Sequence, residues 1–414
     1  SSRRSSPCGK RAAVRSNGLL LTLWGVVVGW PTLAVLLTVL GGTPQDAAFL
    51  PPLHSTTALL LTTLGWSIGV AMLAVLAAVP AARLLASVGE KTRAVLLAAL
   101  ILGLLLPTWA VYYAWWASTP PGTTLYDLAA NSGGVAPIRW CMLAVAMIAG
   151  TWPLVTCCVL PASMRWSVAR DDQLTLDGAG VFGRQLARLR VERAGLLVGA
   201  IVAAIMTASC TTAFDLAGVF TIANEIRAQA ALGADVVRLA AIVWPVLIAA
   251  ILVAGVLWWW VGRMGDDINA PDRISGGGLI GTIFAGTAWV VLVAAPLLLL
   301  TTLWWRIDAV EISGSPSIGV PLFHALVRAG IVGLVAAALV PATRGCWKTW
   351  IGTAVGVTWV AAALLPATMV AAAVGEAWSG PVSSSGASWV LGLLVRGGGI
   401  AVLASRWLAA KEPA

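Results

Sequence analysis

Apolar residues run along this chain in long, nearly unbroken stretches, and short polar segments separate them. The stretches fall at about 18–41, 57–82, 94–117, 139–162, 195–214, 237–262, 278–304, 322–342, 349–375 and 387–410. Each supplies roughly the 20 residues that a helix needs to cross about 30 Å of hydrocarbon. No period-2 alternation runs through them, which sets strands aside. The pattern predicts an all-α integral membrane protein with about ten transmembrane helices, preceded by a basic, Ser-rich segment at 1–17. The first stretch is too long for a signal-peptide core and reads as a retained span. The missing initial Met suggests a fragment.

Composition sharpens this picture. Hydrophobic residues make up 59% of the 414 residues and charged ones only 10%, against about 25% charged in a soluble domain. The net charge of +9 forms no single basic face, so a nucleic-acid partner is not expected. Placing both termini on one side of ten spans puts 20 of the 26 basic residues on that side, against 9 of the 17 acidic ones. A Lys/Arg skew without an acidic skew follows the positive-inside rule, so both termini should be cytoplasmic. Trp115, Trp116, Trp258 to Trp260, Trp304, Trp305, Trp347 and Trp350 sit near span ends, where indoles favour the headgroup level. Four of the six cysteines lie inside apolar runs and read as small buried hydrophobes; with two histidines and no CxxC, no metal site is expected.

Parts of the chain repeat. Val79-Pro80-Ala81-Ala82-Arg83 closes the second span, and Val340-Pro341-Ala342-Thr343-Arg344 closes the eighth. Leu105-Leu106-Pro107 in the third span matches Leu364-Leu365-Pro366 in the ninth. The order and near-constant offset suggest a duplicated unit, with a first half at 18–274 and an incomplete second half at 275–414. Two like halves facing each other are a common transporter design.

The longest cytoplasmic connection, 163–194, is not a plain linker. Leu174, Gly178, Phe182, Leu186 and Leu189 recur at helical spacing, which predicts a short amphipathic helix with a glycine in its apolar stripe. Such a helix could dock in a groove of a soluble partner or lie on the membrane. Leu176-Asp177-Gly178-Ala179, with Arg184-Gln185-Leu186-Ala187-Arg188-Leu189 and a new span at Gly195, resembles the ATPase-coupling loop of binding-protein-dependent, MetI-like permeases of type I ABC importers. Thr211-Thr212-Ala213-Phe214-Asp215-Leu216-Ala217-Gly218-Val219, with Ile222, Glu225 and Ile226, resembles the iron(III) branch of that family, in which two permease halves share one chain. The family's Glu-Ala-Ala place is held here by Asp172-Gln173-Leu174, and its Leu-Pro ending by Leu189-Arg190, one residue early.

This resemblance implies a transport subunit without its own ATPase site, in a bacterial cytoplasmic (inner) membrane. Its implied partners are a cytoplasmic ABC ATPase dimer, which binds the ATP, and an extracytoplasmic solute-binding protein that delivers the solute, iron(III) on the branch likeness. It assigns the coupling loop to Asp172, Gln173, Leu174, Gly178, Ala179, Phe182, Leu186 and Leu189. A second coupling loop and two more spans would follow Ala414; either the chain is truncated, which is the expectation, or a partner chain supplies that loop. Polar groups at membrane depth point to a translocation path lined by Thr207, Ser209, Thr211, Thr212 and Asp215, with Arg396 in the last span. Neither a GxxxxGK[ST] phosphate loop nor paired carboxylates beside a histidine occur, so no catalytic residue, cofactor or metal is expected. A secondary transporter with repeats, a membrane-embedded transferase and a structural membrane subunit remain the other classes. Of these, the secondary transporter would more often carry a carboxylate mid-span.

Overall fold

The computed structural model describes residues 18, 20–41, 56–119, 122–131, 134–232, 236–263, 278–308, 319–343, 346–347, 349–378 and 386–410. These residues form helices and no strand. In order they are α1 (Leu20–Gly41), α2 (Thr56–Ser87), α3 (Glu90–Leu105), α4 (Thr108–Ala117), α5 (Thr124–Asn131), α6 (Ala136–Ser163), α7 (Val168–Leu176) and α8 (Val181–Ala208). Then come α9 (Thr212–Ala217), α10 (Ile222–Ala231), α11 (Val236–Arg263), α12 (Gly278–Thr302), α13 (Gly319–Thr343), α14 (Trp350–Leu364), α15 (Ala367–Ala377) and α16 (Gly386–Ala410).

Among the described residues six helices are long and apolar enough to cross a membrane: α1, α2, α6, α8, α11 and α12. The pairs α3/α4 and α14/α15 add two more if each counts as one broken span. That makes six to eight candidate spans, where hydropathy alone leads one to expect ten. The two left over are α13, whose apolar part at 330–343 is short, and α16, which carries Arg396 and Arg406. The chain is a helical protein with the helices of a multi-pass membrane protein. Side-chain size supports a lipid setting. On α2 the buried face is built from Ala71, Ala74, Ala78, Ala81 and Ala82, while Leu61, Ile68, Met72 and Leu76 point outward, each more than half exposed. Small residues inside and large apolar residues outside suit helices that pack in lipid.

The described helices group into two compact units. Unit one takes residues 1–53, 225–267 and 315–414; unit two takes 54–224 and 268–314. In unit two, α2, α6 and α8 form a three-helix core, and glycines set its closeness. A Cβ on Gly195 would stand 2.5 Å from the Cys158 carbonyl oxygen, and one on Gly199 would meet Val155 at 2.7 Å. The Gly195/Gly199 spacing is the small-xxx-small device that lets helix backbones touch. In unit one, α16 packs on α13 and α14. The flat side of the Trp359 indole lies where a Gly398 Cβ would be, and its Nε1 donates to the Val395 carbonyl at 3.1 Å. Gly398 thus seats the Trp359 indole, while Gly397 and Gly399 lie against Val332 and Ala363.

Two local devices each occur twice. The turn Gly25–Gly29 of α1 and the turn Val290–Ala294 of α12 are π-helical, and each is followed by one residue and a proline, Pro31 or Pro296. Proline lacks the N–H that closes an α-turn, so the preceding turn widens. The Trp30 N–H reaches the Gly25 carbonyl and the Ala295 N–H that of Val290. Each π turn buries its third and fourth residues, Val27 and Val28 or Leu292 and Val293. In unit one the turn of α1 packs against α14 and α16, and in unit two that of α12 packs against α3 and α6.

The second device is a break. Helices α3 and α4 meet at 85°, and α14 and α15 at 118°. Both breaks fall at Leu-Leu-Pro, with Leu106 and Leu365 extended at ψ 122° and 152°. A proline pushes the residue before it out of the helical region. Pro80, Pro153, Pro161 and Pro341, by contrast, sit inside continuous helices.

Two placements differ from expectation. Trp258 and Trp347 do not face the headgroup level; they are buried in unit one, edge to face at 5.0 Å. Cys141 and Cys157 are exposed rather than buried.

Candidate functional site

The connection 163–194 is built from two helices, not one. Ser167 caps α7 by accepting the Arg170 N–H at 3.2 Å. The helix ends at Gly178, whose φ of +76° is the left-handed conformation that glycine adopts at least cost. The Ala179 N–H donates to Leu174 and the Gly178 N–H to Thr175, at 2.9 and 3.1 Å, closing the carbonyl end of α7. A new helix, α8, starts at Val181. The apolar stripe Leu174, Gly178, Phe182, Leu186 and Leu189 is therefore split by a sharp turn. Periodicity joins these residues because it counts positions and does not register the four turn residues, 177–180, between the two helices.

The turn carries an apolar tip. Leu176, Val181 and Phe182 are 88%, 68% and 82% exposed, and Leu186 and Leu189 follow them, also exposed. Asp172 and Gln173 are exposed on α7, while Leu174 and Ala179 are half-buried.

Behind the tip a buried polar array ties α7 to unit two. Trp166, fully buried, donates its indole N–H to Asp171 of α7 at 3.0 Å. The Arg188 guanidinium lies over the same indole at 6.0 Å and approaches Glu192 at 3.4 Å. Glu192 is 1% exposed. It accepts the Ser163 hydroxyl at 2.8 Å and the Arg83 Nη2 at 2.7 Å. Arg83 also donates to Gln185 at 2.6 Å. Arg184 donates to Thr175 at 3.0 Å and adds a second tie between α8 and α7. At the other side of the end of α2, Arg93 donates to the carbonyls of Leu85, Ala86 and Val88.

The second candidate region runs from 207 to 226. Asn224 is its hub: its Nδ2 donates to the Thr211 carbonyl at 3.2 Å and to Asp215 Oδ1, and its Oδ1 accepts the Thr221 hydroxyl. The Ile222 N–H donates to Thr63 of α2 at 3.0 Å, and the Tyr112 hydroxyl to the Leu216 carbonyl at 3.2 Å. Gly218, at φ +70°, ends α9 and lets the chain fold back. The structure thus brings Thr211 and Asp215 together. It does not bring in Thr207 and Ser209, whose hydroxyls donate to the Ala203 and Met206 carbonyls of their own helix. Thr212 is exposed. The side chain of Arg396 lies outside the described residues.

Sequence reasoning missed three things here. Asn224 carries no charge and belongs to no motif, so nothing singled it out. Arg83 counts toward the positive-inside skew, yet it is buried against a carboxylate 109 residues away. A third echo pairs the end of α6 with the end of α16: Val159-Leu160-Pro161-Ala162-Ser163-Met164-Arg165-Trp166 beside Val402-Leu403-Ala404-Ser405-Arg406-Trp407. Its serines take like places. Ser163 meets Glu192 near the end of α2, and Ser405 accepts Thr343, at the end of α13, and Trp347, at 2.8 and 2.9 Å.

No protein-family model, curated protein or solved structure matches this chain.

Proposed function

We propose that this chain is the permease of an ATP-driven importer, with a separate ABC ATPase dimer on its cytoplasmic side binding the ATP. The observation that carries the reading is the exposed Leu176–Val181–Phe182 tip at a glycine turn, backed by a buried array that runs from Asp171 through Trp166, Arg188 and Glu192 to Arg83. A partner that pulls on the tip would pull on the three-helix core. The tip is apolar and compact, as a segment that docks in a groove needs to be.

The paired π turns, the paired Leu-Leu-Pro breaks and the third echo support two MetI-like repeats and ten spans within these residues. In this reading the 211–224 cluster lies beside the translocation path, and a solute-binding protein delivers the solute, iron(III) on the branch resemblance. The membrane is the bacterial inner membrane, with both termini cytoplasmic.

The test is site-directed. Phe182→Cys should cross-link to the ATPase subunit, and Phe182→Asp should abolish ATPase association while leaving thermal stability unchanged. Retained ATPase association by Phe182→Asp would sink the reading. A secondary transporter is the second reading, favoured by the two broken helices, since discontinuous helices build ion and substrate sites in such proteins. Uptake that survives ATP depletion but stops when the ion gradient collapses would select it.

A further inference from the structure

We infer that the cavity of about 210 Å³ between α2 and α12 of unit two, with the buried Arg83 guanidinium in its wall, binds the phosphodiester of an anionic phospholipid. The inference needs only the membrane setting and is independent of any ATPase.

The lining has two parts. Leu76 and Pro80 of α2 with Ile280, Gly281 and Phe284 of α12 form an apolar wall, and Arg83 is the charged residue in it. Leu76, Ile280 and Phe284 are all more than 60% exposed, so the cavity opens sideways onto the surface that faces lipid. Arg83 stands one turn from the end of α2 at Ser87, where the helix gives way to the polar connection before α3. A guanidinium at that depth beside hydrocarbon is costly unless it meets an anion.

Its existing partners leave room for one. Of the five N–H donors of Arg83, Nε–H is shared between the two Glu192 oxygens, one Nη2–H goes to Glu192, and one Nη1–H goes to Gln185. One donor on each terminal nitrogen has no partner among the described residues. Glu192 also serves Ser163 and Arg188, so it only partly balances Arg83. Phosphate oxygens match paired guanidinium donors in geometry as well as charge. Arg188, close behind, disfavours a headgroup that carries its own cation, which points to phosphatidylglycerol-like lipids over phosphatidylcholine. The acyl chains would run along Leu76, Ile280 and Phe284.

An Arg83 variant would also take a buried partner from Glu192 and disturb the array, so Gly281→Leu carries the test. A Cβ on Gly281 meets nothing within 4 Å, so the larger side chain can enter the cavity without disturbing the fold. The full chain in detergent is titrated with phosphatidylglycerol and with phosphatidylcholine, and bound lipid is read by native mass spectrometry. The wild type should hold one phosphatidylglycerol at least about tenfold more tightly than phosphatidylcholine, a discrimination within reach of a charge-assisted pair. Gly281→Leu should lose that preference at unchanged thermal stability. Equal retention of the two lipids, or unchanged phosphatidylglycerol binding by Gly281→Leu, overturns the inference. Displacement of the lipid by millimolar inorganic phosphate overturns it too, in favour of a free-phosphate site.

Discussion

Glu192 offers the sharpest test of how unit two is held together. It is almost fully buried and receives Arg83 at 2.7 Å and Ser163 at 2.8 Å, with Arg188 at 3.4 Å. Replacing it by Leu keeps the volume but takes the shared carboxylate away from two buried guanidinium groups, leaving Arg83 with Gln185 as its partner. Removing one partner of a buried pair costs about 3–5 kcal/mol, because the other charge stays buried and uncompensated. Glu192→Leu removes the carboxylate that both Arg83 and Arg188 approach and should fall within that range. Arg83→Met should fall at the bottom, since Glu192 would keep Ser163 and Arg188. The double variant removes the mismatch between Arg83 and Glu192, and well-packed apolar replacements of buried ion pairs are often neutral. Its cost should therefore be well below the sum of the single costs, with a coupling energy of about 3 kcal/mol, larger than the ~0.5 kcal/mol scatter of independent sites. Equilibrium unfolding in mixed micelles measures all three variants. Costs that simply add would refute the argument that this pair is a buried, mutually dependent unit.

Three further outcomes follow from the geometry. Gly195→Val places a side chain against the Cys158 backbone, which cannot yield, and should cost about 1–3 kcal/mol in the same unfolding assay; Gly183→Ala, whose Cβ would meet only Ala179 at 3.7 Å, should not destabilise. Gly178→Ala forces an L-residue to φ +76° and should cost about 1–2 kcal/mol, seen as faster amide exchange confined to Val168–Leu176. Asn224→Ala removes one partner each from the Thr211 carbonyl, Asp215 and the Thr221 hydroxyl and should cost about 1–3 kcal/mol in all; Thr211→Ala, whose carbonyl does the bonding, should be near neutral in the same measurement.

The sequence was most informative where one residue decides a local outcome. Apolar run length located the helices, because lipid imposes that length directly. Leu106-Pro107 and Leu365-Pro366 marked two discontinuities, whereas Pro80 and Pro341 looked alike and broke nothing, since packing of neighbouring helices sets whether a proline bends a span or merely notches it. The stripe from Leu174 to Leu189 misled because periodicity counts residues and does not register a left-handed glycine between them. Partners far apart in the chain were illegible. Arg83 finds Glu192, and Ile222 finds Thr63, only once α2, α8 and α10 are packed. Bulk hydropathy also says nothing of the Trp258–Trp347 contact, which took two indoles away from the interface.

The π turn of α1 has a consequence for synthesis. The turn that holds Val27 and Val28 packs on α14 and α16, which the ribosome begins at Trp350 and Gly386, well over three hundred residues later. At about 5–20 residues per second, the leading helix waits on the order of 15–60 s before its final contacts exist. During that interval it must lodge elsewhere, in lipid or against whatever inserts beside it. The later helices, for their part, are made with a gap that α1 fills. Severing the chain near residue 270 and producing both pieces together should therefore restore a folded particle, while either piece alone should be degraded.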